Sequence, residues 1–173
     1  MRLITNITLL MAIALLPLNS AAQKKKDKKE RRLEQFAETQ KMINNKQFIF
    51  VPDRAYPQGG RSIDLTTNYG FIKIMGTESA GDMPFFGRGY SVPYGGDSGI
   101  KYEKTSIEKE KTELNEKKMR ISYSFEAQGE NDRFRIRMDI GYNGGTSVHI
   151  TSNNRSQISY NGKVSVLDNK KDE

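Results

Sequence analysis

The sequence predicts a mainly β domain, in which antiparallel sheets form a sandwich or an open barrel with one N-terminal helix packed on it. In the C-terminal third, apolar residues alternate with polar ones over several runs, which is typical of half-buried antiparallel strands. Near the N-terminus, apolar residues recur instead at the three- and four-residue spacing of a helix. Of the 173 residues 35% are hydrophobic and 28% charged, as expected for one globular domain with polar appendages.

Residues 1–22 have the features of a secretory signal peptide. Arg2 supplies a positive charge, residues 7–16 are largely apolar, and Ser20, Ala21 and Ala22 are small residues suited to cleavage. The apolar run is too short to span a membrane comfortably. We therefore expect a mature chain that begins at Gln23, has no transmembrane segment and is soluble in the periplasm or outside the cell.

Cysteine content and charge distribution limit the possible chemistry. The chain has no cysteine, which excludes disulfides, thiol chemistry and a lipid anchor on a cleavage-site cysteine. Of the formal net charge of +7, Arg2 contributes one and residues 24–32 contribute five, which leaves one for residues 33–173. Residues 23–32 are predicted to be a basic, flexible tail. It is either a solvated linker or a contact for anionic lipid or acidic glycan, and an exported tail is not expected to meet nucleic acid.

Residues 33–173 are predicted to be a single β-rich domain that begins with a helix over about 33–45. Residues 105–118 are nearly all charged, so we expect a charged edge strand, with a short surface helix as the alternative, because charges protect an edge from pairing with other chains. A loop is expected over 54–61. The other strands predicted ahead of the C-terminal third are 47–51 (ending at Pro52), 63–65, 69–75 and 100–104.

Parity fixes the register of the first C-terminal hairpin, because a slip of one residue would turn its apolar side chains outward. A four-residue loop, 129–132, sets Phe125 opposite Ile136 on the buried face. It also sets Glu126 opposite Arg135 on the solvent face, where opposite charges form a favourable pair.

The next hairpin allows two loops. A two-residue turn would set a charged residue opposite Val148, whereas a three-residue loop over 143–145 sets Ile140 there. We therefore predict the three-residue loop. The apolar residues of 158–166 share one parity, which predicts a single bent strand with Gly162 facing inward.

The stretch 83–100 combines four aromatic residues, two prolines, five glycines and one arginine. Glycine and proline in this density exclude regular helix and central strand. One interpretation is a structural loop whose rings plug the end of the sandwich or barrel; its residues are Phe85, Phe86, Gly87 and Gly89. The other is a recognition loop, because aromatic rings stack and arginine donates a planar fork of hydrogen bonds. Its ligand candidates are Arg88, Tyr90 and Tyr94.

The same stretch resembles the signature of a family of exported bacterial proteins, domain of unknown function 4251. The shared features are the Pro-aromatic-Phe-Gly-Arg core at 84–88, the Tyr-Ser pair at 90–91 and Pro-Tyr-Gly-Gly at 93–96. The series from Asn154 to Gly162 adds to the resemblance, which covers the chain from the helix to the last strand. It supplies no catalytic residues.

Other motifs do not indicate catalysis. The Gly-Asp-Ser-Gly at 96–99 resembles the nucleophile motif of chymotrypsin-like proteases, but the only histidine, His149, lies downstream on the polar face of a strand. Without a second histidine or a cysteine, we expect no zinc site, and we expect no cofactor. Arg133, Arg135 and Arg137 form a basic stripe, which we expect to be ion-paired and solvated, with a surface for an anionic ligand as the alternative.

Three functions remain open. The favoured one is a non-catalytic binding or envelope-associated module that captures a glycan, a lipid or a peptide. The alternatives are a protein–protein adaptor or inhibitor, and a hydrolase whose site shows no recognisable group of paired catalytic residues.

Overall fold

The computed structural model describes residues 17–90 and 99–167. In this part of the chain one helix is followed by ten strands. Their bounds are α1 Pro17–Asn44, β1 Gln47–Pro57, β2 Ile63–Asp64, β3 Phe71–Met75, β4 Glu78–Met83, β5 Ile100–Ser106, β6 Glu108–Asn115, β7 Arg120–Gln128, β8 Arg133–Gly141, β9 Gly145–Thr151 and β10 Ile158–Val166.

The strands form one antiparallel sheet in the order β5-β4-β3-β1-β10-β9-β8-β7-β6, with β2 paired to β1. Strands β5 and β6 lie at opposite ends of this order, yet they follow each other in the chain through Ile107. The Ile107 N–H donates to the carbonyl of Thr77 at 2.9 Å. The sheet therefore curls until its two ends approach, and it nearly closes into a barrel. The mainly β prediction is confirmed in its open-barrel form.

Large apolar side chains fill the interior of the barrel. Along β8 every second residue is buried, as the alternation predicts. The ring centroids of Phe48 and Tyr123 are 5.7 Å apart, and those of Tyr102 and Phe134 are 6.0 Å apart. Burying a side chain of this kind stabilises the fold by roughly 1.5–3 kcal/mol. This core holds together a chain that has no disulfides.

Helix α1 packs on the end of the barrel where β1 begins and β8 turns into β9. Phe36, Thr39 and Ile43 are buried, and the Thr39 hydroxyl donates to the carbonyl of Tyr142 at 3.0 Å. The helix starts at Pro17, so the basic segment 23–32 forms part of it. Within the described part of the chain, no helix combines the length and apolar character needed to cross a bilayer.

Three further predictions are confirmed. Phe125 pairs with Ile136 and Glu126 with Arg135 across the β7–β8 ladder. The charged segment forms β6, which lies at an edge of the sheet with every residue exposed. Residues 158–166 form the single strand β10.

The predicted β8–β9 register is wrong by two residues. Val148 pairs with Met138, while Ile140 pairs with Thr146. The loop has three residues, as predicted, but it spans 142–144, and Gly144 adopts φ of +79° at the third position, where such loops require a left-handed residue. The Gly144 carbonyl also accepts the Val164 N–H at 2.9 Å, which ties this loop to β10. A shift of two preserves parity, so the same faces are buried.

Two strands in the N-terminal half of the chain differ from the prediction: β1 is longer than predicted, and β4 was not predicted. Strand β1 continues through Pro52 to Pro57, into the segment predicted as a loop, and its register with β10 shifts between Pro52 and Arg54. A bulge of this kind tolerates a proline, which lacks an N–H for the ladder. Strand β4 has no counterpart in the prediction. Its Gly81 lies under the Tyr102 ring, so it contributes space instead of a strand-forming side chain.

Candidate functional site

Residues 88–90 of the aromatic stretch are held by the β9–β10 connection. The Arg88 N–H donates to the Ser156 hydroxyl at 3.0 Å, and the Ser156 N–H donates to the Arg88 carbonyl at 2.9 Å. The Tyr90 N–H donates to the Asn154 carbonyl at 2.7 Å. The side chains of Arg88 and Tyr90 are exposed, by 68% for Tyr90. Their backbone is therefore fixed while their side chains face solvent.

The start of the same stretch is anchored to the core. Tyr160 is fully buried and its hydroxyl donates to the Pro84 carbonyl at 2.7 Å. Burial raises the pKa of the Tyr160 phenol, so this donor stays protonated. The Arg155 guanidinium lies 5.4 Å from the centre of the Phe85 ring, and its Nε is 3.4 Å from Asp132 Oδ2. Residues 84–90 are thus attached to the barrel at both of their ends.

The predicted structural residues separate into two groups. Phe85 is half-buried and packs against the core, whereas Phe86 is 37% exposed. Of these two rings, Phe85 is the one that packs against the core. A Cβ on Gly87 would collide with Ser156 Oγ and with the Phe85 ring, which explains a glycine there. Tyr94 and the serine of the Gly-Asp-Ser-Gly motif lie outside the described residues.

Beside Phe86 lies an open cleft of about 360 Å³, here called the aromatic cleft. Tyr69 and Phe86 both line it, and Tyr69 is 83% exposed. Asn68, Asp82 and Lys101 add an amide, a carboxylate and an ammonium group to the lining. Lys101 Nζ is 3.7 Å from Asp82 Oδ2, so these two charges largely balance each other.

The aromatic cleft is suited to a polar ligand that also has apolar faces. Aromatic rings offer large contact area with few rotatable bonds, and a few placed polar groups set the orientation of a ligand. The sequence analysis did not single out Tyr69, Asn68, Asp82 or Lys101. The sequence analysis placed Tyr69 in a predicted strand over 69–75, but β3 begins at Phe71, so Tyr69 lies outside the strand and is exposed.

A second cleft, of about 450 Å³, lies on the solvent face of β8, β9 and β10. Its lining includes Asp139, His149 and Asn161 but neither Phe nor Tyr among the described residues. His149 is exposed, as predicted, and its Nδ1 lies 2.8 Å from Ser159 Oγ. Across the ladder it faces Arg137, not a carboxylate. Among residues 17–90 and 99–167, no three acidic or histidine side chains are grouped to hold a metal ion.

The basic stripe of β8 is partly neutralised by Glu126 of β7. Arg135 Nε lies 3.4 Å from Glu126 Oε1, and Arg133 Nη1 lies 3.5 Å from Glu126 Oε2. Lys109 Nζ lies 3.1 Å from the same Oε2. The hydrogen bond from Lys109, together with the nearby positive charges, lowers the pKa of Glu126. The stripe is therefore an ion-paired face, as predicted.

Comparison with known proteins identifies the family. The family model of DUF4251, a domain of unknown function, matches residues 30–164. A crystal structure of a DUF4251 family protein from Bacteroides eggerthii DSM 20697 has a TM-score of 0.61 at 18% identity, over 76% of this chain and 87% of that chain. At this identity the likeness shows the shared fold alone. No curated protein matches the chain. Because the family match spans most of the sequence, the protein belongs to the DUF4251 family.

Proposed function

We propose that the protein is a non-catalytic binding module whose aromatic cleft captures a carbohydrate chain. The observation that carries this proposal is the pair of exposed rings, Tyr69 and Phe86, lining one cleft. An exposed ring loses the stabilisation that burial would give it, and grouped exposed rings mark a binding surface more often than they serve the fold.

The polar lining favours a carbohydrate over a lipid or an apolar peptide. A lipid chain requires apolar walls, whereas Asn68, Asp82 and Lys101 present donors and acceptors that match sugar hydroxyl groups. The C–H faces of sugar rings can stack on exposed aromatic rings such as those of Tyr69 and Phe86. Arg88 and Tyr90 do not line the cleft but are exposed on the same stretch, and their hydrogen-bonded backbone would limit the entropy lost if they contact the ligand.

The proposal includes export, so the carbohydrate would be met in the periplasm or outside the cell. Its support is the signal-peptide pattern of residues 1–22. N-terminal sequencing of the protein recovered outside the cytoplasm should find Gln23 first. Recovery of an uncleaved cytoplasmic chain that starts at Met1 would contradict export.

Affinity electrophoresis through gels that contain soluble glucans, xylans or mannans tests the carbohydrate. We expect at least one polysaccharide to retard the parent, and Tyr69→Ala and Phe86→Ala to bind it roughly 10- to 30-fold more weakly, the loss typical of a binding hot spot. Both rings are exposed, so both variants should melt close to the parent. Tyr56→Ala is the matched control, because Tyr56 is a 40% exposed tyrosine of β1 that does not line the cleft.

Each outcome decides one part of the proposal. If no polysaccharide retards the parent, the carbohydrate is wrong. If Tyr69→Ala and Tyr56→Ala are retarded like the parent, the ligand binds elsewhere. If incubation with the protein shortens the polysaccharide, the module is an enzyme and not a simple binder.

A further inference from the structure

Residues 26–35 of α1 form a basic helical segment with no buried side chain. Every described side chain from Lys26 to Gln35 is exposed, and burial starts only at Phe36. A helix that is polar on all sides gains little from its own sequence and needs a partner to be stable. Residues 24–32 also hold five of the seven net positive charges of the chain. The positive charge of this segment therefore indicates an anionic partner.

A groove of about 470 Å³ runs between this helix and the β8–β9 turn. It is lined by Lys28, Arg31 and Arg32 on the helix and by Tyr142 on the turn. The Arg32 guanidinium lies 5.2 Å from the centre of the Tyr142 ring. The Tyr142 carbonyl accepts the Thr39 hydroxyl at 3.0 Å, which fixes this wall against the helix. The groove is thus a defined site and not a property of the helix alone.

Within the part of the chain that the structure describes, the cations of the groove have no acidic partner. Among residues 17–90 and 99–167, no carboxylate lies within ion-pair distance of Lys28, Arg31 or Arg32, although Lys26 lies 4.0 Å from Glu30 nearby. Asp27 is the one acidic residue among the described lining residues, so the lining has a net charge of +2. The arginines of β8 differ, because each has an acidic partner: Arg133 and Arg135 share Glu126, and Arg137 pairs with Asp139.

We propose that the α1 groove binds a phosphate group. A phosphate monoester carries about −1.5 to −2 charges and three acceptor oxygens, and a lipid phosphodiester carries one negative charge and two free acceptor oxygens, so the net positive charge of the lining is complementary to both. The planar guanidinium of Arg31 or Arg32 can donate two parallel hydrogen bonds to a phosphate, and Lys28 adds a point charge. The phosphate could belong to a lipid headgroup or to a free phosphorylated solute. This inference is independent of the aromatic cleft.

Binding of two probes tests the groove. Calorimetry measures inorganic tripolyphosphate, and co-sedimentation compares vesicles of phosphatidylcholine with vesicles that also contain phosphatidylglycerol. Every variant carries the apolar residues 7–16 of the full chain, which could bind either kind of vesicle. Only the difference in binding between the two kinds of vesicle therefore reports on charge. The test variant is Lys28→Gln with Arg31→Gln. The control is Arg61→Gln with Lys104→Gln, which removes two exposed positive charges elsewhere in the fold.

We expect the parent to bind at least one probe and the test variant to bind it about 25-fold more weakly, roughly fivefold for each cation removed. The control should bind like the parent. Binding of tripolyphosphate identifies a free solute as the source, and preference for phosphatidylglycerol without it identifies a lipid headgroup. Absence of binding in both arms would overturn the proposal, and so would an equal loss in the control, since the effect would then be general electrostatics.

Discussion

Replacing Tyr160 with Phe should loosen the aromatic stretch and measurably destabilise the barrel. The Tyr160 hydroxyl donates to the Pro84 carbonyl at 2.7 Å from a fully buried ring. The substitution keeps the ring but leaves that carbonyl without this donor. The hydrogen bond is partly buried, and its loss costs about 1 kcal/mol, or up to about 3 kcal/mol if water does not reach the carbonyl. For an ordered domain of this size, we expect a decrease in Tm of roughly 3–10 °C.

Thermal melts of Tyr160→Phe and Tyr56→Phe measure this effect against a matched control. The Tyr56 hydroxyl accepts a hydrogen bond from Asn161 Nδ2 at 3.3 Å, but the Tyr56 ring is 40% exposed, so water can replace the lost partner. The control should melt within about 1–2 °C of the parent, as surface substitutions usually do. If Tyr160→Phe melts like the control, Tyr160 does not hold Pro84, and the attachment of the stretch to the core is wrong.

Two further predictions concern stability. Gly162→Ala should destabilise the protein by more than 2 kcal/mol, which is at the upper end of the range for single substitutions. The reason is a backbone clash, because the added Cβ would lie 2.7 Å from Pro52 Cα and closer still to Val51 O. A denaturant midpoint equal to that of the parent would contradict this. Acid should remove the stabilisation that ionised Glu126 supplies, because folding lowers the pKa of Glu126 below its ordinary value of 4.5. The stabilisation is fully present at a pH above 4.5 and is lost as the pH falls through the lowered pKa. The Tm difference between the parent and Glu126→Gln should therefore be largest near pH 7 and shrink toward pH 2, and a difference independent of pH would refute the ion-pair account.

The sequence predicted the fold best where local pattern and loop length agree. The β7–β8 register follows from alternation on both strands and a four-residue connection, and it is correct. At the β8–β9 hairpin, the alternation of apolar residues fits two registers equally well, with loops over 142–144 or 143–145, because both bury the same faces. The choice between them depends on whether Gly144 or Gly145 takes the left-handed conformation. That choice involves a hydrogen bond from Val164, which is distant in sequence. Strand β4 has no β-branched residue and forms because β3 and β5 pair with it on both sides.

The candidate site was less accessible to sequence reasoning. The aromatic stretch was recognised from its composition, and the exposure of Arg88 and Tyr90 suits the recognition interpretation. Tyr69 lies just before β3 and Lys101 lies on β5, and they reach one cleft because both strands pair with β4, where Asp82 is opposite Phe71 and Lys101. The roles of Phe85 and Phe86 differ because Arg155 packs on one ring, and no local pattern indicates that contact.

The most direct test of the central claim is an NMR titration of the protein with an oligosaccharide cut from whichever polysaccharide retards it. Resonances of Tyr69, Phe86 and the backbone around Asp82 should shift in a saturable manner. In the same titration of Tyr69→Ala, the resonances of Phe86 and of the backbone around Asp82 should stay nearly unchanged. Shifts confined to the second cleft, around His149 on the solvent face of β8–β10, or to the α1 groove around Tyr142, would contradict the assignment of the aromatic cleft as the binding site.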